Sequence, residues 1–286
     1  MDYVTLSNGV KMPQLGYGVY QVSADECERC VLDALSVGYR SIDTAQAYYN
    51  EKEVGSAIRK SGVLREEIFL TTKVWLENYG EEKARASVLA SLDKLKTDYL
   101  DLVLLHQPFG ETYGAWRALV KLYEEGRVRA IGISNFYPDR LVEFSIFNSL
   151  RPMVNQVETH PHDQQKEAIK WMRKYGVQPE AWAPFGEGRG GLFENETLCA
   201  IGRKHGKTSA QVMLRWNLQR GVVVIPKSVH IERMRENFDV FDFTLSEEDM
   251  AEIGSLDKAE SSFFSHQDPA TVEWFGQLLE DRSGRS

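Results

Sequence analysis

The sequence has no apolar run near the ~20 residues that a membrane-crossing helix needs, which excludes a helical membrane protein. Residues 1–13 lack a basic region followed by an apolar one, so no secretory signal is expected. Cysteine is scarce: 3 in 286 residues, Cys27, Cys30 and Cys199. That odd, sparse set excludes a disulfide scaffold and leads us to expect a reduced, cytoplasmic protein. A surplus of positive charge is also missing, since 42 acidic residues outnumber 34 basic ones for a net charge of -8. This argues against nucleic acid or an anionic membrane as the main partner. A small anionic ligand stays open, because local charge can oppose the global sign. Metal-ligand spacing is weak too. Cys27-Glu-Arg-Cys30 has no second pair beside it, and Glu158-Thr-His160-Pro-His162-Asp163 is spaced like a loop, so no metal is expected and the cysteines are read as packing.

What the chain does have is regular alternation. Residues 3–6 and 10–12 flank Ser7-Asn8-Gly9, which predicts a β-hairpin. After it, strand patterns at 14–20, 40–43, 68–73, 100–106, 128–134, 152–157, 177–183 and 222–225 alternate with helix patterns. Those helices cover 24–37, 51–60, 81–95, 112–124, 138–148, 164–175, 197–205, 208–220, 231–237 and 246–254. Near-continuous apolar strands between helices imply a parallel sheet covered on its faces. Eight such units without a linker predict one α/β domain over 1–286, a (β/α)8 TIM barrel with an N-terminal β-hairpin. An open doubly wound sheet is the competing arrangement. The segment from about 257 to 286 shows no clear periodicity and is expected to be loop. Its Phe263, Phe264 and Trp274 either cap a pocket or pack on the barrel. The last residues, 283–286, are a polar tail. Asn50 is expected to cap the helix at 51–60, with Glu53 as its reciprocal partner.

The chemically able residues fall at strand ends. Asp43 follows the second barrel strand, Lys73 ends the third and His106 the fourth. Ser134 and Asn135 end the fifth, Gln156 the sixth, Trp182 lies near the end of the seventh, and Lys227 and Ser228 follow the eighth. In a barrel these positions meet on one face, where active sites are built. A phenol such as Tyr48 is a poor acid near neutral pH. An ammonium beside it favours the phenolate and strengthens the acid. Asp43, Lys73 and Tyr48 thus suit a relay, with His106 donating a hydrogen bond to a carbonyl oxygen. Such a site lacks a nucleophile and needs a reductant from a cofactor. Trp75, Phe109 and Tyr49 stand on strand-end loops and are expected to line the pocket rather than the core. Gly186-Glu-Gly-Arg-Gly-Gly191 fits Gly-x-Gly-x-x-Gly, but no acidic strand end follows, so a dinucleotide fold of that kind is rejected. A flexible loop whose amides cover a pyrophosphate is the other reading.

Longer motifs resemble the aldo-keto reductase family. They are Gly38-Tyr-Arg-Ser-Ile-Asp-Thr-Ala-Gln-Ala-Tyr48, Leu95-Lys-Thr-Asp-Tyr-Leu-Asp-Leu-Val-Leu-Leu-His-Gln-Pro108, Gly126-Arg-Val-Arg-Ala-Ile-Gly-Ile-Ser-Asn-Phe136, Asn155-Gln-Val-Glu-Thr-His-Pro161 and Ile225-Pro-Lys-Ser-Val229. The likeness spans residues 4 to 275 and is greatest to the prokaryotic and protozoan branch, with its 2,5-diketo-D-gluconate reductases and prostaglandin F synthases. The resemblance implies a catalytic tetrad of Asp43, Tyr48, Lys73 and His106. It also implies carboxamide-binding positions at Ser134, Asn135 and Gln156, and a nicotinamide-stacking ring at Trp182, where many relatives carry tyrosine. A 2′-phosphate clamp would comprise Lys227, Ser228 and Arg233, with adenine contacts at Glu236 and Asn237. Two cations and a hydroxyl around that phosphate imply NADPH over NADH.

Tyr20 and Gln107 occupy pocket positions where better-known animal members carry tryptophan, which implies a more polar pocket side and smaller substrates. His106, where steroid double-bond reductases of the family carry glutamate, favours carbonyl over alkene reduction. The expected partner is a small carbonyl substrate, and the expected state a monomer. The alternative is a regulatory or structural NADPH-binding barrel without turnover.

Overall fold

The computed structural model describes residues 1–283, so residues 284–286 of the polar tail lie outside the described residues. Strands β1 (Tyr3–Thr5) and β2 (Lys11–Pro13) pair antiparallel, with Tyr3 opposite Pro13 and Thr5 opposite Lys11. Gly9 makes their turn at φ +86°, where a side chain would be strained. Asn8 Nδ2 donates to Arg129 O, just before a barrel strand begins, which sets the hairpin at the strands' N-terminal ends.

Eight strands follow: β3 (Tyr17–Gly18), β4 (Ser41–Asp43), β5 (Phe69–Val74), β6 (Leu102–Leu105), β7 (Ile131–Ser134), β8 (Val154–Glu158), β9 (Gln178–Trp182) and β10 (Val223–Val224). They are parallel and lie side by side in chain order. The edges meet through a Leu15–Val224 bridge, with Gly16 N donating to Val224 O at 2.8 Å and Gly18 N to Pro226 O at 3.2 Å. The barrel expectation is therefore met. Every residue of β4 to β8 is buried, as a sheet walled by helices requires. Strands approach closely at Gly132, where a Cβ would stand 2.6 Å from Val154 O and 2.7 Å from Leu104 Cδ2. Both end strands are shorter than their sequence patterns. β3 spans only Tyr17–Gly18, and the chain turns at Gln21, whose φ is 56°.

Outside the sheet run α1 (Ala24–Val37), α2 (Glu51–Lys60), α3 (Glu81–Leu95), α4 (Thr112–Glu124), α5 (Pro138–Phe147) and α6 (Lys166–Tyr175). They are followed by α7 (Glu196–His205), α8 (Ser209–Gln219), α9 (Ile231–Phe238), α10 (Glu247–Gly254) and α11 (Pro269–Ser283). Thr208 and Ser246 form capping boxes with Gln211 and Asp249. Among the described residues, no helix is long and apolar enough to cross a membrane.

Two local expectations are corrected. Asn50 stands at the N-cap of α2 but makes no capping bond. Its Nδ2 donates to Val19 O and Val22 O, and its Oδ1 accepts from Thr44 Oγ1 at 2.8 Å, so it fastens the loops after β3 and β4 together. The segment after 257 is also more than loop, because α11 occupies Pro269–Ser283. Its apolar face is defined by the barrel mouth beneath it. Phe275 is buried there against Trp75 and Phe109.

Candidate active site

Register places the ionisable residues. Asp43 pairs with Thr71, and Lys73 is two residues further along β5 on the same inward face. Lys73 in turn pairs with Leu104, and His106 is two residues beyond that, past the end of β6. Tyr48 closes a 3-10 turn, Gln46–Tyr48, on the loop after β4. That turn is braced by Gln46 Oε1, which accepts from Trp75 N at 3.0 Å and Asn78 Nδ2 at 2.9 Å.

Lys73 is fully buried, and its ammonium has three protons for three acceptors. It donates to Asp43 Oδ1, to Thr44 O at 3.1 Å and to Tyr48 Oη at 3.3 Å. Burial works to lower the Lys73 pKa, but Asp43 and Tyr48 outweigh it and hold the ammonium above its ordinary value. Tyr48 differs from expectation. Lys73 does pull its pKa down, yet desolvation is larger and pushes the phenol up to about 12. The phenol therefore carries its proton throughout the neutral range. His106 is pushed well below its ordinary value, first by burial and then by Lys73. A neutral imidazole results, set 5.7 Å from the Tyr48 ring and 5.0 Å from the Trp75 ring. Its Nδ1 is buried without a partner among the described residues.

The other strand-end residues form a wall beside this group. Ser134 Oγ donates to Gln156 O at 2.8 Å. Asn135, left-handed at φ 65°, donates from Nδ2 to His106 O at 3.1 Å and accepts at Oδ1 from Trp182 Nε1 at 2.8 Å. Gln156 Nε2 donates to Asp43 Oδ2 and to Glu180 Oε2, both at 3.0 Å, so its amide oxygen is the group left for a ligand. A cavity of about 760 Å³ is lined by Asp43, Tyr48, His106 and this wall, with Lys73 buried outside the lining. A second, of about 470 Å³, gathers Lys227, Ser228, Arg233, Glu236 and Asn237. Phe185, Phe193 and Lys227 line both, so one groove runs from the barrel mouth to α9.

The expected pocket residues divide. Tyr20, Trp75 and Gln107 line the larger cavity. Tyr49 does not: it is 68% exposed, because its φ of 57° turns it away from Tyr48. Phe109 is also outside the lining and packs behind it on His266 and Phe275. Gln107 adds less polarity than expected, since its Oε1 bonds to His266 Nε2 at 2.8 Å. The undecided aromatics are settled: Phe263, Phe264 and Trp274 all line the cavity.

This cap is tied down by the acidic and histidine motif. Glu158 accepts from His160 Nε2 at 2.8 Å, Ser262 N at 2.7 Å and Ser261 Oγ at 2.5 Å. No His, Cys, Asp and Glu group among the described residues can hold a metal. Cys27 and Cys30 are buried in the core along α1, and burial pushes the Cys27 thiol up to about 12. The glycine loop 186–191 is left-handed at Glu187, Gly188, Gly190 and Gly191. Its Glu187, Gly188 and Arg189 line the cavity, and Arg189 Nη1 donates to Ser262 O at 3.0 Å.

Sequence reasoning missed Glu180, His266 and Arg282. Glu180 sits mid-strand in an apolar run, where only barrel closure brings it to Asp43. Burial and then Asp43 raise its carboxyl from 4.5 to about 8. Folding thus favours its protonated form, so Glu180 subtracts stability as pH climbs from 4.5 through 8. Glu180→Gln is expected to have a higher Tm than the parent at pH 8 and nearly the same Tm at pH 5. A constant offset across that range is the contrary result.

The Aldo/keto reductase family model matches residues 6–258. Glyoxal reductase of Bacillus subtilis is 50% identical over 261 residues, 91% of this chain and 94% of that protein. The 9,11-endoperoxide prostaglandin H2 reductase of Trypanosoma cruzi is 46% identical over 258 residues, 89% of this chain and 91% of that one. A Bombyx mori aldo-keto reductase solved in complex with NADP superposes with a TM-score of 0.89 at 30% identity, covering 95% of this chain and 96% of that one. A family match across most of the chain, close relatives of nearly full length and a shared barrel place this protein in the aldo/keto reductase family.

Proposed function

We propose that this chain reduces aldehyde and ketone carbonyls of small substrates with NADPH, with Tyr48 as the proton donor. The observation that carries the reading is the full commitment of the buried Lys73 ammonium to Asp43, Thr44 O and Tyr48 Oη, of which Asp43 and Tyr48 line the larger cavity. The donor set suits the cofactor. Lys227, Ser228 and Arg233 bring two cations and a hydroxyl to the second cavity, as a 2′-phosphate requires. Ser134, Asn135 and Gln156 offer amide and hydroxyl groups for a carboxamide, and Trp182 offers a ring face beside them. The loop 186–191 stands over the join of the two cavities. Bound NADPH supplies the hydride.

The chain's own residues do the remaining work. His106, neutral, donates one N–H to the carbonyl oxygen and holds it near Tyr48 Oη. Tyr48 gives its proton to that oxygen. Lys73 stabilises the resulting phenolate, and Asp43 keeps Lys73 charged and aimed. The capping aromatics Phe263, Phe264 and Trp274 exclude water. The named activity of the Bacillus relative, glyoxal reduction, supports small carbonyl compounds as substrates.

Loss of the NADPH absorbance band on adding glyoxal is the direct test. Tight NADPH binding with no turnover across a panel of aldehydes and ketones would instead favour a regulatory barrel. Arg233→Ala is expected to weaken NADPH binding roughly tenfold or more by tryptophan fluorescence, with a much smaller change for NADH. Equal loss for both nucleotides removes the phosphate assignment.

A further inference from the structure

A line of hydrogen bonds crosses the barrel interior from Tyr48 and ends beyond the four residues of the relay. Tyr48 Oη is bonded to Lys73 Nζ at 3.3 Å, and Lys73 to Asp43 Oδ1. Asp43 Oδ2 accepts from Gln156 Nε2 at 3.0 Å, and the other proton of that nitrogen goes to Glu180 Oε2 at 3.0 Å. Glu180 is thus the far end of the line. Register fixes its place, since it pairs with Gln156 on β8 and with Val223 on β10. It is 1% exposed and lies outside the lining of both cavities, so anything it does there it does through another residue.

The surroundings of Glu180 set its charge. Its Oε1 is buried with no hydrogen-bond partner among the described residues. A carboxylate would leave that oxygen charged and without a donor, which is costly in a low-dielectric interior. From β5, Lys73 has already given its three protons to Asp43, Thr44 O and Tyr48. From β8, Gln156 brings a neutral amide, and β10, Val223–Val224, brings no charge. From β4, Asp43 brings a like charge. A neutral carboxyl suits this setting, in keeping with the rise to about 8 caused by burial first and then by Asp43.

The charge state bears on Tyr48. As Tyr48 gives its proton away, negative charge grows on its oxygen, and Lys73 must balance it. A second carboxylate behind Asp43 competes for the same ammonium and opposes that growing charge. After burial, Asp43 and Tyr48, Glu180 is a further group acting on the Lys73 ammonium. We infer that Glu180 is a positioning residue for the reduction: as a neutral carboxyl it holds Gln156 against Asp43, and its ionisation weakens Tyr48 as an acid. This rests on the carbonyl-reductase reading above and deepens its relay. No proton travels along the line, because the Gln156 amide keeps both of its own. Glu180 acts by its field and by its grip on Gln156.

The test is kcat/KM for glyoxal at saturating NADPH, from initial rates between pH 6 and pH 9. In that window Tyr48, at about 12, keeps its proton and His106, well below its ordinary value, stays neutral, so neither bends the profile. The parent is expected to fall about tenfold from pH 6 to pH 9, the share of enzyme that loses a proton from a group near 8. Glu180→Gln keeps an acceptor for Gln156 but cannot ionise, and its pH 6 to pH 9 ratio is expected to lie near one. Glu180→Met keeps neither charge nor acceptor. Its ratio is expected near one too, with NADPH bound about 3- to 10-fold more weakly than by Glu180→Gln, because Gln156 is then held by Asp43 alone. The parent-minus-Glu180→Gln infrared difference at pH 7 is expected to show the carbonyl stretch of a protonated carboxyl group. A parent ratio near one, a ratio that Glu180→Gln leaves unchanged, or no such infrared band overturns the inference alone. Equal NADPH affinities for the two variants overturn the grip on Gln156. No turnover of glyoxal by the parent at any pH sinks the reductase reading and the inference with it.

Discussion

Tyr48→Phe is expected to lower kcat for carbonyl reduction by about 10²- to 10⁴-fold, the usual contribution of a positioned acid, while NADPH still binds. The substitution is clean because, among the described residues, the hydroxyl has one hydrogen-bond partner, Lys73 Nζ at 3.3 Å. Without it, Lys73 keeps Asp43 and Thr44 O, and the phenyl ring keeps its packing 5.0 Å from Tyr20 and beneath the Lys73 ammonium. Folding should therefore survive, and a Tm close to the parent's would separate lost chemistry from lost structure. Steady-state reduction of glyoxal alongside NADPH titration gives the answer. Full turnover by Tyr48→Phe overturns the mechanism.

Lys73→Met should remove both activity and stability. Lys73 and Asp43 are almost wholly shielded from solvent, at 0% and 2% exposure, and breaking a buried pair by deleting one partner typically costs about 3–5 kcal/mol. The remaining Asp43 would keep Gln156 Nε2 on one oxygen but lose the ammonium on the other, with Glu180 close by. Urea unfolding is expected to show that loss. Adding Asp43→Asn removes the stranded charge, so the double variant should regain much of the stability while remaining inactive. Recovery of activity together with stability would mean that Lys73 serves folding alone.

Much of this site was legible before any coordinates. Alternating strand and helix patterns predicted the barrel, and strand ends predicted where Asp43, Lys73, His106, Ser134 and Trp182 would meet. Both are local properties of a parallel βα chain: each strand's C-terminal end faces the same way, so a residue's place in its own strand fixes its place in the barrel. The hairpin is equally local, set by Asn8-Gly9.

Features that depended on distant segments were not legible in the same way. Asn50 has the residue type and position of a cap, but the loops after β3 and β4 compete for its amide and win. Tyr49 follows Tyr48 directly, yet a left-handed backbone sends it to the surface. Lysine was expected to leave Tyr48 a stronger acid, but desolvation in the folded chain outweighs it. Glu180 looks like any polar residue in a buried strand until barrel closure sets it against Gln156 and Asp43. Helix α11 has little pattern of its own because the groove beneath it decides which face is buried. The sequence by itself thus determined the barrel and the strand-end places of the ionisable residues, since these follow from local periodicity and strand ends, while its longer motifs carried the resemblance to the family. Only the tertiary structure decided the protonation of those groups and the cap with Arg282, because desolvation and long-range contact exist only once the chain has closed.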